Sequence, residues 1–315
     1  MQKFVTKFII AIVIVYVLAW GLDYIICRGL LKMEDYRFQD YAAMLEGGMD
    51  NDVLIMGNSR GKSHFDPAII DSKCGVESFC IGIGGYPINA QLAKFHIYCS
   101  KNRKPKYVIQ NCDYMTINLI NDVRHQHQSE QFFPLIYDTA ARQELSKLGY
   151  GFLELNCPLY RMFGYQMVIK NGLLEGLGVK HYVSMPAYKG HRPEEGSWDG
   201  TELEKMEIRA AEMPDAAKQL FEDYLAECRR DSIEVILVNS PMYEGAFEKI
   251  TNREEIDDFF KSMATKFDLT YLDYTHDCDI SCDTANFCVS VHMNPEATKR
   301  FTEELCADLD SLGIF

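Results

Sequence analysis

The sequence predicts an α/β fold in which a mostly parallel β-sheet carries helices on both faces, giving three α/β/α layers. Short apolar runs that stop at turn residues alternate with segments in which apolar residues recur at helical spacing. This alternation is typical of parallel sheets, because each crossover between parallel strands needs a long connection. The predicted strands are 52–56, 76–81, 107–109, 233–238 and 270–272.

Helix-start signals support the same reading. Asp66 and Pro67 are typical of an N-cap followed by proline in the first turn, and they predict a helix to about residue 72. Asn294 and Pro295 predict the start of a closing helix. The other predicted helices are 89–100, 201–230 with a break at Pro214, 252–267 and 295–312.

The composition narrows the class of protein. The chain has 315 residues, of which 47% are hydrophobic, so a large core is expected. The net charge of −14 argues against nucleic acid as a partner, because phosphates would be repelled. Eleven cysteines include no CxxC pair, so we expect mostly buried apolar thiols and no metal site. A disulfide among Cys278, Cys282 and Cys288 is the alternative in an oxidising compartment.

The amino terminus predicts one uncleaved transmembrane helix within segment 1–32. Residues 8–27 are largely apolar, and about 20 helical residues span the ~30 Å core of a bilayer. Basic residues flank the run on both sides, and the apolar stretch is too long for a signal peptide. The alternative is a buried helix of the globular domain, which Asp23 favours. A single anchor with a short basic leader places the remaining domain, 33–315, outside the cytoplasmic membrane.

The regular alternation of strands and helices fails between residues 115 and 200. This stretch is rich in aromatic residues and is too long for a connection inside a compact sheet. We interpret it as an inserted cap or lid.

The most informative motif is the first predicted strand and the residues that follow it. The apolar run 53–56 ends at Gly57-Asn58-Ser59-Arg60, which predicts a serine at the carboxyl edge of the sheet. His292 lies in Val291-His292-Met293-Asn294, just before the closing helix. A serine and a histidine so far apart in sequence are candidates for a nucleophile and its base.

The order of these motifs resembles the SGNH (GDSL-like) hydrolase superfamily, with its flavodoxin-like α/β/α fold. The resemblance extends to its membrane-anchored bacterial branch, related to D-alanyl-lipoteichoic acid transfer and polysaccharide O-acetylation proteins. It implies Ser59 as nucleophile, His292 as base, and the backbone of Ser59 and Gly85 with the side chain of Asn111 as oxyanion donors. Arg60, which follows the serine as in that branch, is a candidate substrate-binding residue.

One position departs from the family pattern. The family has aspartate three residues before the histidine, where this chain has Val289. Three alternatives stay open. A backbone carbonyl accepts the Nδ1 proton of His292, or Asp283 or Asp277 orients the ring, or the protein binds its ligand without turnover.

The resemblance implies a membrane-anchored, extracytoplasmic serine esterase or acyltransferase acting on acylated cell-surface glycans, without a cofactor. Its location would be the bacterial cytoplasmic membrane, with a membrane-bound acyltransferase as candidate partner. The alternative is a catalytically silent protein of the same fold that binds a glycan or assists surface-polymer assembly.

Overall fold

The computed structural model describes residues 1–201 and 203–315 and divides the chain into two compact units. Unit 1 combines Met1–Glu46 with Asn121–Ala187, and unit 2 combines Gly47–Ile120 with Tyr188–Phe315. Each unit is therefore built from two separate stretches of the chain.

Unit 2 has the predicted α/β fold. Among the described residues, five parallel strands form one sheet, namely β1 (Val53–Met56), β2 (Ser78–Cys80), β3 (Tyr107–Asn111), β4 (Glu234–Asn239) and β5 (Tyr271–Asp273). They lie in the order β2-β1-β3-β4-β5. Their centre is a row of apolar pairs, in which Ile55 lies opposite Ile109, and Ile109 opposite Ile236.

Helices cover both faces of this sheet. On one face Val53, Ile55 and Ile236 pack in a core with Phe301 and Leu305 of the closing helix. On the other face the hydroxyl of Tyr224 contacts the sulfur of Met56, which alternates with Ile55 along β1. The helices of unit 2 are α3 (Ser59–Ser63), α4 (Pro67–Cys74), α5 (Ile88–Cys99), α9 (Asp215–Arg230), α10 (Glu244–Phe247), α11 (Arg253–Phe267), α12 (Cys278–Ser281) and α13 (Pro295–Ser311).

The helix caps are confirmed, whereas one predicted helix is wrong in extent. The side chains of Asp66 and Asn294 accept hydrogen bonds from the backbone N–H groups of Ala68 and Ala297. The helix predicted over 201–230 begins only at Asp215, directly after Pro214, and Leu203–Lys205 is a short 3₁₀ turn. Proline lacks the backbone N–H donor that a helix interior requires, so it is found at the start of this helix and not inside it.

Unit 1 is helical. Its elements are α1 (Gln2–Leu30), α2 (Tyr36–Glu46), α6 (Thr139–Lys147), α7 (Phe152–Asn156) and α8 (Gln166–Gly176), with 3₁₀ turns at Ser129–Tyr137 and Tyr160–Met162. Helix α1 is long and apolar enough to cross a membrane. Its carboxyl-terminal end packs closely on α8, where a Cβ at Gly29 would lie 1.8 Å from the carbonyl oxygen of Gly172.

Asp23 lies at the point where α1 enters the packed part of unit 1. Its carboxylate is fully buried and pairs with both terminal nitrogens of Arg161, at 2.7 and 2.8 Å. The polar residue that argued against a transmembrane helix therefore belongs to the end of α1 that is inside the protein. The preceding residues, from Phe4 to Leu18, are exposed.

Candidate active site

The nucleophile candidate stands on a tight strand-to-helix turn at the end of β1. Gly57 has φ of +146°, a conformation that favours glycine, and a Cβ there would lie 2.8 Å from Cβ of Asn111. Asn58 then caps the short helix α3 by accepting a hydrogen bond from the N–H of Arg60. Ser59 is consequently the first residue of α3, at the carboxyl edge of the sheet.

The base candidate comes from a small hairpin that precedes the closing helix. Strands β6 (Phe287–Val289) and β7 (His292–Met293) pair antiparallel, with Val289 opposite His292. Nε2 of His292 lies 2.8 Å from Oγ of Ser59, a hydrogen-bond distance between residues 233 positions apart. The structure therefore brings together the two side chains that the sequence pairs.

The electrostatic environment favours the neutral form of the His292 imidazole. Burial lowers its pKa below the usual value of 6.5, and the positive charges of Arg60 and Arg192 act in the same direction. The carboxylate of Glu194 opposes them and is the largest charge effect on the ring, and Asp113 adds a smaller one. An unprotonated imidazole can accept the proton of the serine hydroxyl.

Glu194 is the residue near the base that the sequence interpretation missed. It belongs to the end of the predicted insertion, and the chain around it is fixed to both parts of the site. The N–H of Arg192 donates to the carbonyl of Lys62 at 3.2 Å, and Nε2 of His191 lies 3.2 Å from the carbonyl of Ser63. On the other side, a Cβ at Gly196 would lie 3.7 Å from Cβ of Cys288 in the hairpin. No sequence spacing indicates this placement.

A buried acid, Asp113, organises the polar groups at the ends of β1 and β3. It accepts two hydrogen bonds from Nδ2 of Asn58, at 2.8 and 2.9 Å, and one from Nδ2 of Asn111, at 3.1 Å. Arg60 lies 3.5 Å away as its counter-charge. Asn111, the candidate oxyanion donor, thus directs its amide to Asp113, and Arg60 pairs with an acid of the scaffold.

A second buried chain of hydrogen bonds links α3 to the hairpin. The N–H of Met293 donates to Nε2 of His64 at 3.2 Å, so Nδ1 carries the proton shared with Ser240 Oγ at 2.9 Å. Ser240 Oγ in turn donates to Oδ1 of Asn111 at 2.8 Å. Burial lowers the pKa of His64 well below 6.5, which keeps the ring neutral, and the hydrogen bond from Met293 fixes the tautomer.

The glycine loop after β2 lies beside the nucleophile. A Cβ at Gly84 would lie 3.8 Å from Cβ of Ser59, and Gly85 follows with φ of +79°. A Cβ at Gly82 would lie 2.6 Å from the backbone nitrogen of Lys62, so α3 and this loop pack without side chains between them. This close approach leaves backbone N–H groups as candidates for binding an oxyanion.

The two acids considered for orienting His292 serve as helix caps. Asp283 accepts a hydrogen bond from the N–H of Ala285, and Asp277 accepts one from the N–H of Asp279. Their side chains thus have local roles at the turn Thr284–Asn286 and at α12.

Arg60 also borders a cavity of about 230 Å³ at the same edge of the sheet. Side chains at or after the ends of β3, β4 and β5, including Tyr114, Asn239 and His276, line it. Nε of Arg60 is buried there without a hydrogen-bond partner. The cavity offers both polar and aromatic groups.

The cysteines are all free thiols. Cys278 and Cys282 are exposed, and together with Glu244 they place three possible metal ligands within 4.8 Å of one another. Five others, Cys27, Cys80, Cys112, Cys228 and Cys306, are buried, as small apolar residues are.

The comparisons with known proteins add little to this geometry. No protein-family model and no curated protein matched the chain. Among solved structures, a proposed acylhydrolase from Bacteroides fragilis is similar over 87% of this chain and 94% of its own, with 14% sequence identity and a TM-score of 0.39. A likeness this weak carries no argument about activity.

Proposed function

We propose that the chain is a serine esterase or acyltransferase that uses Ser59 and His292. The observation that supports this is the 2.8 Å contact between Ser59 Oγ and His292 Nε2 at the carboxyl edge of a parallel sheet. Ligands bind at this edge in open α/β sheets. Removal of the serine proton by a neutral imidazole creates the nucleophile for attack on an acyl carbon.

The reaction proceeds through an acyl-enzyme. Ser59 Oγ bonds to the acyl carbon while its proton moves to Nε2 of His292, and the tetrahedral oxyanion is held by backbone N–H groups of Ser59 and of the glycine loop at Gly84 and Gly85. His292 returns the proton to the leaving alcohol. Water or a sugar hydroxyl then attacks the acyl carbon and releases Ser59.

Acylated cell-surface glycans are the proposed substrates, and the domain is proposed to lie outside the cytoplasmic membrane with α1 as its anchor. Incubation of the purified protein with an O-acetylated glycan tests the first point, and the release of acetate is measured. An alkaline phosphatase reporter fused to the carboxyl terminus tests the second, because it is active only when exported. Absence of reporter activity with full-length fusion in the membrane contradicts the orientation.

The central test is labelling of the purified full chain with a fluorophosphonate probe. Labelling is expected in the wild type, lost in Ser59→Ala, and kept in Ser290→Ala, which removes another hydroxyl close to the base. Labelling that persists in Ser59→Ala contradicts the assignment of the nucleophile.

A catalytically silent protein that binds a glycan is the second candidate. The observation that favours it is Val289, which faces His292 across the hairpin where the family pattern has an aspartate. This alternative predicts no turnover of aryl acetates, and glycan binding unchanged in Ser59→Ala. Turnover that disappears in that variant excludes it.

A further inference from the structure

The apolar surface of α1 continues onto a neighbouring segment of unit 1. Tyr16, in the exposed apolar part of α1, donates a hydrogen bond from its hydroxyl to the carbonyl of Asn156 at 2.9 Å. Tyr16 precedes the buried Asp23 by two helical turns, or about 10 Å along the axis. The end of α7 therefore reaches well beyond the point where α1 leaves the packed core.

The segment that reaches this level exposes large apolar side chains. Phe152 is 76% exposed and Phe163 is 89% exposed, and between them Leu153 and Tyr160 are about half exposed. An exposed aromatic side chain of this size is costly in water, and several together mark an interaction surface.

The same segment exposes no charge. From Tyr150 to Tyr165 its charged residues are Glu154 and Arg161, and each is only 7% exposed. Glu154 pairs with Arg124 at 2.5 Å, and Arg161 pairs with Asp23. Exposed apolar groups with charges turned inward are the pattern that a lipid environment selects.

Aromatic residues surround the junction between α1 and this segment. Trp20 packs edge-on against both Tyr16 and Tyr137, with ring centroids 6.4 and 6.0 Å apart, and Tyr24 packs against Tyr137 at 5.2 Å. Tryptophan and tyrosine concentrate at the boundary between lipid and water, which sets the membrane level along α1.

We infer that residues 152–163 insert into the leaflet from which α1 emerges, so that unit 1 is partly embedded in the bilayer. The occupant of this surface is lipid, because its α7 end lies beside Tyr16 of the anchor, on the membrane side of Trp20. The inference rests on the proposed anchoring of α1.

Tryptophan fluorescence in vesicles tests this. The full-length variants Phe163→Trp and Phe152→Trp are each reconstituted in phosphatidylcholine vesicles, with and without bromine on the acyl chains. Wild type supplies two references, Trp20 on α1 and the buried Trp198 of unit 2. Ile208→Trp, at an exposed apolar position of unit 2, is the matched control.

We expect the emission added at positions 152 and 163 to be lost in brominated lipid and little affected by aqueous acrylamide. The opposite pattern, quenching by acrylamide alone, overturns the inference. Protection from both quenchers also overturns it, because protein then covers the surface. Loss of Trp20 emission in brominated lipid, with no loss at 152 and 163, overturns only this inference. An unaffected Trp20 instead contradicts the proposed anchor.

Discussion

Asp113 provides the most demanding test of how the site is held together. The carboxylate is 2% exposed and serves as the counter-charge of Arg60, which is itself 4% exposed. Besides the asparagine amides, it accepts hydrogen bonds from the backbone N–H groups of Met115 and Thr116, at 2.8 and 3.1 Å. Asp113→Ala therefore removes several acceptors and takes this counter-charge away from the buried Arg60 guanidinium, which keeps hydrogen bonds to Asn239 and to the carbonyl of Ser240.

The expected loss is large because the remaining partner stays buried. Breaking a buried ion pair from one side costs about 3–5 kcal/mol. For a unit of this size each kcal/mol lowers the Tm by about 2–4 °C, so the expected fall is about 6–20 °C. Asp113→Asn keeps one oxygen as acceptor and loses the charge, so its Tm is expected to lie between those of the wild type and the alanine variant.

Thermal unfolding of the purified full chain in detergent measures this effect. The buried Trp198 lies in the core of unit 2 and reports on that unit. Asp199→Ala, an exposed acid next to it in sequence, is the control and should leave the Tm unchanged. A fall of less than ~3 °C in Asp113→Ala would refute the reasoning, because it corresponds to only about 1 kcal/mol.

Three further changes probe the base and the turn. Glu194→Gln removes a charge that raises the pKa of His292, so the acidic limb of the pH–rate profile for aryl acetate hydrolysis should move to lower pH. The value of kcat/KM should fall on the order of 10-fold, far less than the ~10⁴-fold loss that follows removal of a hydrogen-bonded triad acid. The control Glu195→Gln should change neither the limb nor kcat/KM. Val289→Asp places a carboxylate in the cross-strand position opposite the ring, so it should raise both the activity and the pH of that limb, and a limb that does not move would contradict the pairing. Gly82→Ala forces a methyl group against the backbone of α3, and denaturation should show a loss of about 1–3 kcal/mol.

The sequence predicted the sheet of unit 2 well because its strands carry strong local signals. The run at 233–238 and the caps at Asp66 and Asn294 depend only on neighbouring residues, and the structure has them within one or two positions. The helix expected over 201–230 failed in its first half, where the only local guide was the residue type. Unit 1 was not foreseen, because its two stretches meet only through long-range packing such as Gly29 against Gly172.

The site was predictable to the extent that topology fixes it. Strand ends in a parallel sheet share one edge, so Ser59 could be placed there. His292 directly precedes the closing helix α13, which indicated that it could reach the same edge. The positions of Glu194 and His64 depend on how a loop and a short helix pack against that edge, and no periodicity in the sequence predicts this packing. Asp113 did carry a signal, since it follows β3 as Asn58 follows β1, but only the fold shows that these two residues meet.

The His64–Ser240 chain has a consequence for how a substrate would be received. His64 follows the short helix that begins at Ser59, and its Nε2 accepts a hydrogen bond from the N–H of Met293, the residue after His292. The segments that carry Ser59 and His292 are therefore already joined beside these two side chains. Folding, and not ligand binding, sets their separation. Substrate binding then does not have to offset an entropic cost of bringing Ser59 and His292 together. A slow closing step before acylation is therefore not expected.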